Sequence, residues 1–417
     1  MSCLFLGGSF FINKNLIIMP SISQKAKNMP ASPIRKLVPF SDAAKERGIE
    51  VFHLNIGQPD LETPQMALEA VRNYTERVVK YTPSQGTYSY RKKLCEYYEK
   101  VGVHVNPDEM IITTGGSEAL LMSFLTIMDP DDEVIIPEPF YANYNGFAKN
   151  VGVKVKPIYS SIETGFALPD ISEFEKAITP RTKAILICNP NNPTGYLYSK
   201  EEMETLRQIV LKYDIFLISD EVYREFCYEK ATHYSALNLE GIENHVILID
   251  SASKRFSACG IRIGRMITRN KELLDAAMKF AQARLSPPTF GQVAGEAALD
   301  CPQSYYDDIV REYQSRRDVC IEGINKIEGA YCPTPKGAFY IVAHLPIDDS
   351  DKFCKWMLTD YNYNGKTVMM APASGFYSSE GRGTQEVRIS YCLKKEDLIE
   401  AMNILKDALQ VYPGRTL

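Results

Sequence analysis

The chain has 417 residues, 45% of them hydrophobic and 24% charged, and a formal net charge of -5. That composition buries a sizeable core, so disordered, collagen-like and disulfide-stapled miniature proteins are excluded, and the acidic balance argues against a broad basic face for nucleic acid. Histidine is scarce at 5 residues (His53, His104, His233, His245 and His344, each alone) against 25 tyrosines, so the usual acid–base residue and metal ligand is thinly supplied and the chemistry is expected to rest elsewhere.

Residues 1–18, MSCLFLGGSFFINKNLII, are apolar but lack a basic run before the apolar stretch and a small-residue cleavage site after it, and they are too short to span a bilayer. They read as part of a flexible tail over 1–29, or as a start placed upstream of a true one at Met19. Residues 30–50 read as a helical arm closed by Gly48. A short strand, VFHLNIG, ends in the turn cluster Gly57-Gln58-Pro59-Asp60. Helices are expected over 63–80 and 88–101, parted by Tyr81-Thr82-Pro83-Ser84-Gln85-Gly86, whose Pro and Gly forbid a continuous helix. Apolar runs at 110–114, 134–137, 184–188, 215–219 and 246–249 then alternate with helical stretches at 118–128 and 201–213, the first with Leu121, Leu125 and Met128 on one apolar face. Short runs that are apolar throughout suit parallel strands covered by helices on both faces. After Pro287-Pro288 a long helical stretch to about Ile327 leads into strands around 339–342 and 387–390. The chain is therefore expected to be α/β, with an arm and part of a small domain over 30–60, a large domain with a mostly parallel sheet over 61–295, and a smaller α+β domain over 296–417. None of the ten cysteines forms a C-x-x-C pair and several lie in apolar runs, which points to a reducing, cytoplasmic setting. No other segment approaches a membrane span.

In open α/β sheets, ligands sit outside the carboxyl ends of the strands, so the residues just past each apolar run are the informative ones. The first run leads into Gly115-Gly116-Ser117-Glu118 and a helix, a cradle of backbone N–H groups and helix dipole suited to a phosphate, or a tight turn with Ser117 as cap. It is no Walker loop, since no Gly-Lys-Ser/Thr comes after it. The second ends in Pro137-Glu138-Pro139-Phe140-Tyr141, a flat aromatic at the sheet rim. The third leads into Asn189-Pro-Asn-Asn-Pro-Thr-Gly195, a rigid turn that holds amides at the ligand edge. Next comes Asp220-Glu221-Val222-Tyr223, where a carboxylate at the end of a buried strand needs a partner. The fifth run precedes Ser251-Ala-Ser-Lys254-Arg255-Phe-Ser257 and Gly260-Ile-Arg262-Ile-Gly264, offering a nucleophilic amine. A phosphate cradle, a stacking ring, a partner for a basic ring nitrogen and an amine for a carbonyl together describe pyridoxal 5'-phosphate.

Three motifs, Ser251-x-Ser253-Lys254-x-x-Ser257-x-x-Gly260-x-Arg262-x-Gly264, Asn189-Pro-Asn-Asn192-Pro-Thr-Gly195 and Ser219-Asp220-Glu221-Val222-Tyr223, carry a likeness to known proteins. At these residues the sequence resembles the fold-type I, class I/II aminotransferases, the aspartate aminotransferase superfamily, and it does so from about Ser32 to the end. The resemblance implies that Lys254 is the Schiff-base lysine and shuttles the substrate proton, that Asp220 keeps the pyridine nitrogen protonated, and that Asn192 and Tyr223 bond the ring hydroxyl. Tyr141 would stack on the ring. Gly116, Ser117, Ser251 and Arg262 would hold the phosphate, joined by Tyr81 of the partner subunit, which makes the protein a homodimer with shared active sites. Arg388, in Val387-Arg388-Ile-Ser390-Tyr, would grip the substrate α-carboxylate bidentately, which lysine cannot do, and Gly57 would add a backbone contact beside Asn192. Pro335-Lys-Gly-Ala-Phe-Tyr340 resembles the family's small-domain strand and is given a packing role. No metal is implied.

The expected reaction is ping-pong transfer of an amino group from an L-amino acid, aspartate favoured, to a 2-oxo acid such as 2-oxoglutarate. Alanine or aromatic donors stand close behind. One bacterial subgroup carries a distal-carboxylate lysine where this chain has Ser117, and Arg284 in Ala283-Arg284-Leu-Ser-Pro-Pro288 is a candidate for a second carboxylate or a surface charge. A lyase of the same fold, cystathionine β-lyase-like or aminocyclopropane-carboxylate-synthase-like, would keep Lys254, Asp220 and Arg388. A cofactor-binding module fused to a DNA reader needs an N-terminal helix-turn-helix for which about thirty residues leave no room.

Overall fold

The computed structural model describes residues 20–30 and 32–417, so the first part of the expected tail, and Met19 with it, lie outside the described residues. In the described part of that tail, which is exposed throughout, Ser23 caps a single turn, Gln24–Lys27, Lys25 donates to the Asn150 carbonyl at 2.8 Å and Lys149 donates to the Asn28 carbonyl at 2.9 Å.

A seven-stranded sheet forms the centre. Its spatial order is Met110–Thr113, Gly264–Ile267, Val246–Ser251, Phe216–Asp220, Thr182–Cys188, Glu133–Glu138 and Lys154–Tyr159. The last five run parallel, and Gly264–Ile267 is antiparallel to both its neighbours. The five expected apolar runs are all present and buried except for half-buried Thr114 and Phe216, because helices cover both faces. Two strands escaped the apolar-run criterion for physical reasons. Lys154–Tyr159 is an edge strand with only Ile158 buried, and Gly264–Ile267 carries the charged Arg265 within its four residues.

Several expected helices have different limits. The segment expected over 63–80 is helical only for Gln65–Arg72; the chain beyond it packs on the helix Thr289–Ala298, where Tyr74 meets Phe290 edge-on with centroids 5.1 Å apart and Thr289 donates to the Lys80 carbonyl at 3.3 Å. The long stretch after Pro288 is two helices, Thr289–Ala298 and Gln303–Asn325, because Pro302 has no N–H to carry one through. The helix after the first strand of the large sheet begins at Gly115 and buries Ala119, Leu120, Ser123 and Phe124, while Leu125 is 41% exposed; the expected apolar face is displaced by roughly a residue.

Beside the large sheet, Tyr340–His344 and Glu386–Ser390 pair antiparallel, with Ala371–Pro372 completing three strands. Glu50–His53 pairs parallel with Lys366–Met369, so a segment near the beginning of the described chain is completed by one near its end. The helices Gln303–Asn325 and Lys395–Val411 pack together over this part.

Candidate active site

The strand ends converge on one cavity of about 650 Å³, lined by residues that include Gly57, Gly116, Ser117, Tyr141, Asn192, Asp220, Tyr223, Ser251, Lys254, Arg262 and Arg388. Of the residues expected to meet cofactor or α-carboxylate only Tyr81 does not line it; Tyr81 is 78% exposed. None of the lining side chains is a histidine.

The phosphate-type cradle is built by close approach. Gly115 opens the helix at φ +73, and a Cβ there would lie 2.4 Å from the Arg262 guanidinium. A Cβ on Gly264 would fall 2.4 Å from the Gly115 carbonyl carbon, so glycine at both places lets the two segments and Arg262 come together. Arg262 donates to the Cys259 carbonyl at 2.9 Å, and Ser251 caps the short helix Ala252–Arg255 by accepting from Ser253 N.

Asp220, at the end of the central strand, is buried. Burial raises its carboxyl to about 6, although it accepts hydrogen bonds from Tyr144 Oη at 2.8 Å and Val222 N at 3.4 Å. A buried carboxyl raised in this way is a site prepared for a cationic partner. Across the cavity, the Lys254 ammonium donates to the Gly57 carbonyl at 2.8 Å, and burial pushes its pKa down. Asn192 joins two functions, donating to Tyr223 Oη at 3.3 Å and accepting from Arg388 at 3.2 Å. Arg388 also donates to the Asn55 carbonyl at 2.5 Å. It is almost fully buried, yet its Nε has no partner, an unmet donor on a side chain that lines the cavity.

The lysine segment is anchored from behind. Asp250 accepts from Arg255, the residue after Lys254, through both oxygens at 2.9 and 2.8 Å, from Tyr98 Oη at 2.7 Å, and from Arg265. Burial alone would raise this carboxyl, but the two guanidinium groups hold it down at about 2.

Several site residues are not evident from strand ends alone. Tyr144, whose hydroxyl serves Asp220, stands one helical turn past Tyr141 and meets its ring edge-on with centroids 5.4 Å apart. Tyr340 has more than the packing role expected of it, since its hydroxyl lies 2.9 Å from that of Tyr223 and 3.5 Å from the Gly57 carbonyl. The arm adds Ser32, Ile34, Arg35 and Val38 to the lining. The candidate second-carboxylate residue Arg284 is absent from the lining: its guanidinium donates to the Ser84 and Ile112 carbonyls at 3.2 and 3.0 Å and lies 3.4 Å from Glu118. Its contacts fasten the 81–86 loop instead. Among the described residues no group of three or more His, Cys, Asp or Glu could hold a metal ion.

The family model "Aminotransferase class I and II" matches residues 49–405. The chain is 34% identical over 396 residues to the aspartate aminotransferase of Pyrococcus horikoshii, covering 93% of this chain and 97% of that one. Among solved structures it is similar to an alanine aminotransferase from Pyrococcus furiosus (TM-score 0.84, 33% identity, 93% of this chain and 99% of that one). It is also similar to the aspartate aminotransferase of Thermus thermophilus with maleate (TM-score 0.83, 30% identity, 94% and 100%). Fold, site and kinship agree: the chain belongs to the class I and II aminotransferases, enzymes of fold type I that work with pyridoxal 5'-phosphate.

Proposed function

We propose that this aminotransferase takes the amino group of an L-amino acid, aspartate favoured, and delivers it to a 2-oxo acid such as 2-oxoglutarate in two ping-pong half-reactions. The observation that carries the reading is the pairing, across one cavity, of a buried carboxyl raised by desolvation with a buried lysine lowered by it, beside an arginine with an orphaned Nε. These residues fit pyridoxal 5'-phosphate. Gly116, Ser117, Ser251 and Arg262 would hold its phosphate, Tyr141 would cover its ring, Asn192 and Tyr223 would bond its hydroxyl, Asp220 would pair with its ring nitrogen, and Lys254 would hold its carbonyl carbon. When bound, the cofactor supplies an electron sink for the electrons released at the substrate α-carbon.

The protein's own part is orientation and proton movement. Arg388, already aligned by Asn55 and Asn192, grips the α-carboxylate and fixes which bond at the α-carbon faces Lys254. The lowered pKa of Lys254 favours its neutral amine, the form that can accept the α-proton and give it up again. Asp220, with the Tyr144 hydroxyl donating to it, would pair with the cofactor's ring nitrogen and favour its protonated form. Tyr340 braces Tyr223.

The assembly is a homodimer in which Tyr81 of the partner subunit completes the phosphate site. Exposure supports this: Tyr81, Val78, Val79, Leu285 and Phe290 are all more than 40% exposed. Residues 61–295 form the cofactor-binding domain, and 30–60 with 296–417 form the smaller one. Nine described cysteines, all free, support a reducing, cytoplasmic setting, and among the described residues no helix is long and apolar enough to cross a membrane.

The test is a single half-reaction. Purified protein loaded with cofactor should be yellow, and Lys254→Ala should lose the visible absorption. Each L-amino acid, added alone, then declares itself a donor by converting the cofactor stoichiometrically to its amine form. A colourless wild type after cofactor addition refutes the proposal, and release of ammonia and pyruvate in place of conversion would reassign the enzyme as a lyase.

A further inference from the structure

Four cationic side chains line the active cavity: Arg35, Lys254, Arg262 and Arg388. In the proposed aminotransferase three are occupied, Lys254 and Arg262 by the cofactor and Arg388 by the α-carboxylate. Arg35 has no assignment. Its guanidinium makes no ion pair or hydrogen bond with a described residue, whereas the next residue, Lys36, is paired with Asp351. The one carboxylate in the lining, Asp220, is committed to the ring nitrogen, so nothing in the cavity neutralises Arg35.

The backbone of Arg35 is held in place, while its side chain is exposed. It sits in a turn where its N–H donates to the Ser32 carbonyl at 3.2 Å and its own carbonyl accepts from Val38 N at 3.0 Å. Leu37, two residues on, is buried in the main core. Asn55 connects this turn to the α-carboxylate clamp, for its side-chain amide donates to the Ile34 carbonyl at 3.4 Å while its backbone carbonyl accepts from Arg388 at 2.5 Å. One residue therefore sets the spacing between two arginines on one cavity. Arg35 lies near enough to Tyr141 for its charge to bear on the phenol, as that of Arg388 does.

We propose that Arg35 is the specificity residue that binds the distal carboxylate of a dicarboxylic amino or 2-oxo acid, the α-carboxylate of which is held by Arg388. The proposal rests on the aminotransferase reading of this site and adds the residue that selects four- and five-carbon dicarboxylates over monocarboxylic substrates. The alternative source of the distal cation, Arg284, is turned away into the Ser84, Ile112 and Glu118 contacts.

The test compares cofactor-loaded wild type, R35M and R35K. Single half-reactions are run with L-glutamate, L-aspartate and L-alanine, and calorimetry measures binding of succinate and of butyrate. Losing one charge-assisted bidentate contact in R35M should lower the glutamate-to-alanine ratio of kcat/KM by about 10- to 100-fold and weaken succinate by the same factor, with butyrate little changed. R35K, keeping the charge without the planar fork, should fall between. A ratio within about threefold of wild type in R35M, or a wild type with no preference for dicarboxylates over alanine, overturns the proposal while the aminotransferase reading stands. If no amino acid converts the wild-type cofactor, that reading fails instead, and the succinate-to-butyrate binding ratio still decides Arg35.

Discussion

The carboxyl of Asp220 makes the protein without its cofactor less stable than it could be, and the size of that penalty follows from its environment. Burial raises the group from an ordinary 3.8 to about 6 in the folded chain. Two units at about 1.4 kcal/mol each put the penalty near 3 kcal/mol. The sign is opposite to that of a salt-bridged carboxylate. Below about pH 3.8 the group is protonated whether folded or unfolded and costs nothing. Between 3.8 and 6 the unfolded chain ionises first, and above 6 the full penalty is present. Asp220→Asn keeps an oxygen to accept the Tyr144 hydroxyl and removes the charge. Cofactor-free D220N should therefore resist denaturant better than wild type at about pH 7.5, by up to about 3 kcal/mol, and the gain should shrink toward zero near pH 4. The assay is equilibrium unfolding of both apo-proteins across this range. Loading the cofactor should reverse the order at the higher pH, because only the carboxylate gains a charged partner. A D220N apo-protein no more stable than wild type there, or a gain independent of pH, would refute the argument.

Three other substitutions probe separate parts of the design. Asp250→Asn leaves Arg255 and Arg265 buried without their carboxylate, and should cost about 3–5 kcal/mol in denaturant unfolding. Gly264→Ala drives a methyl group into the Gly115 backbone, and should weaken cofactor binding at least tenfold in a spectroscopic titration while the far-ultraviolet spectrum of the fold is retained. Arg284→Ala releases the Ser84 and Ile112 carbonyls. It should loosen the 81–86 loop, seen as faster amide exchange there and poorer cofactor retention, with the glutamate-to-alanine preference unchanged.

Much of the site is legible along the chain because its residues stand at strand ends, where a buried hydrophobic run stops and a polar side chain must emerge. Asp220, Asn192, Tyr141 and Lys254 are all of this kind, and each lines the one cavity. Legibility fails where a role depends on a neighbour remote in sequence. Tyr144 looks like one more helix residue until its hydroxyl is found on Asp220, 76 positions away. Tyr340 meets Tyr223 from 117 positions away. Arg284 and Arg35 show the same limit in opposite directions. Sequence alone makes the first a candidate clamp and leaves the second inside an arm, and only the packing reveals that Arg284 faces its own loop while Arg35 faces the cavity.

The α/β class, the apolar runs at the centre of the sheet and the strand-end residues that line the cavity are written along the chain, because local patterning and strand-end chemistry need no knowledge of distant partners. The edge strand Lys154–Tyr159, the break at Pro302, the partners of Asp220 and the choice between two arginines belong to the folded molecule. Each of them depends on which surfaces are covered and which charges are left unmatched, and burial and charge balance exist only once the chain has folded.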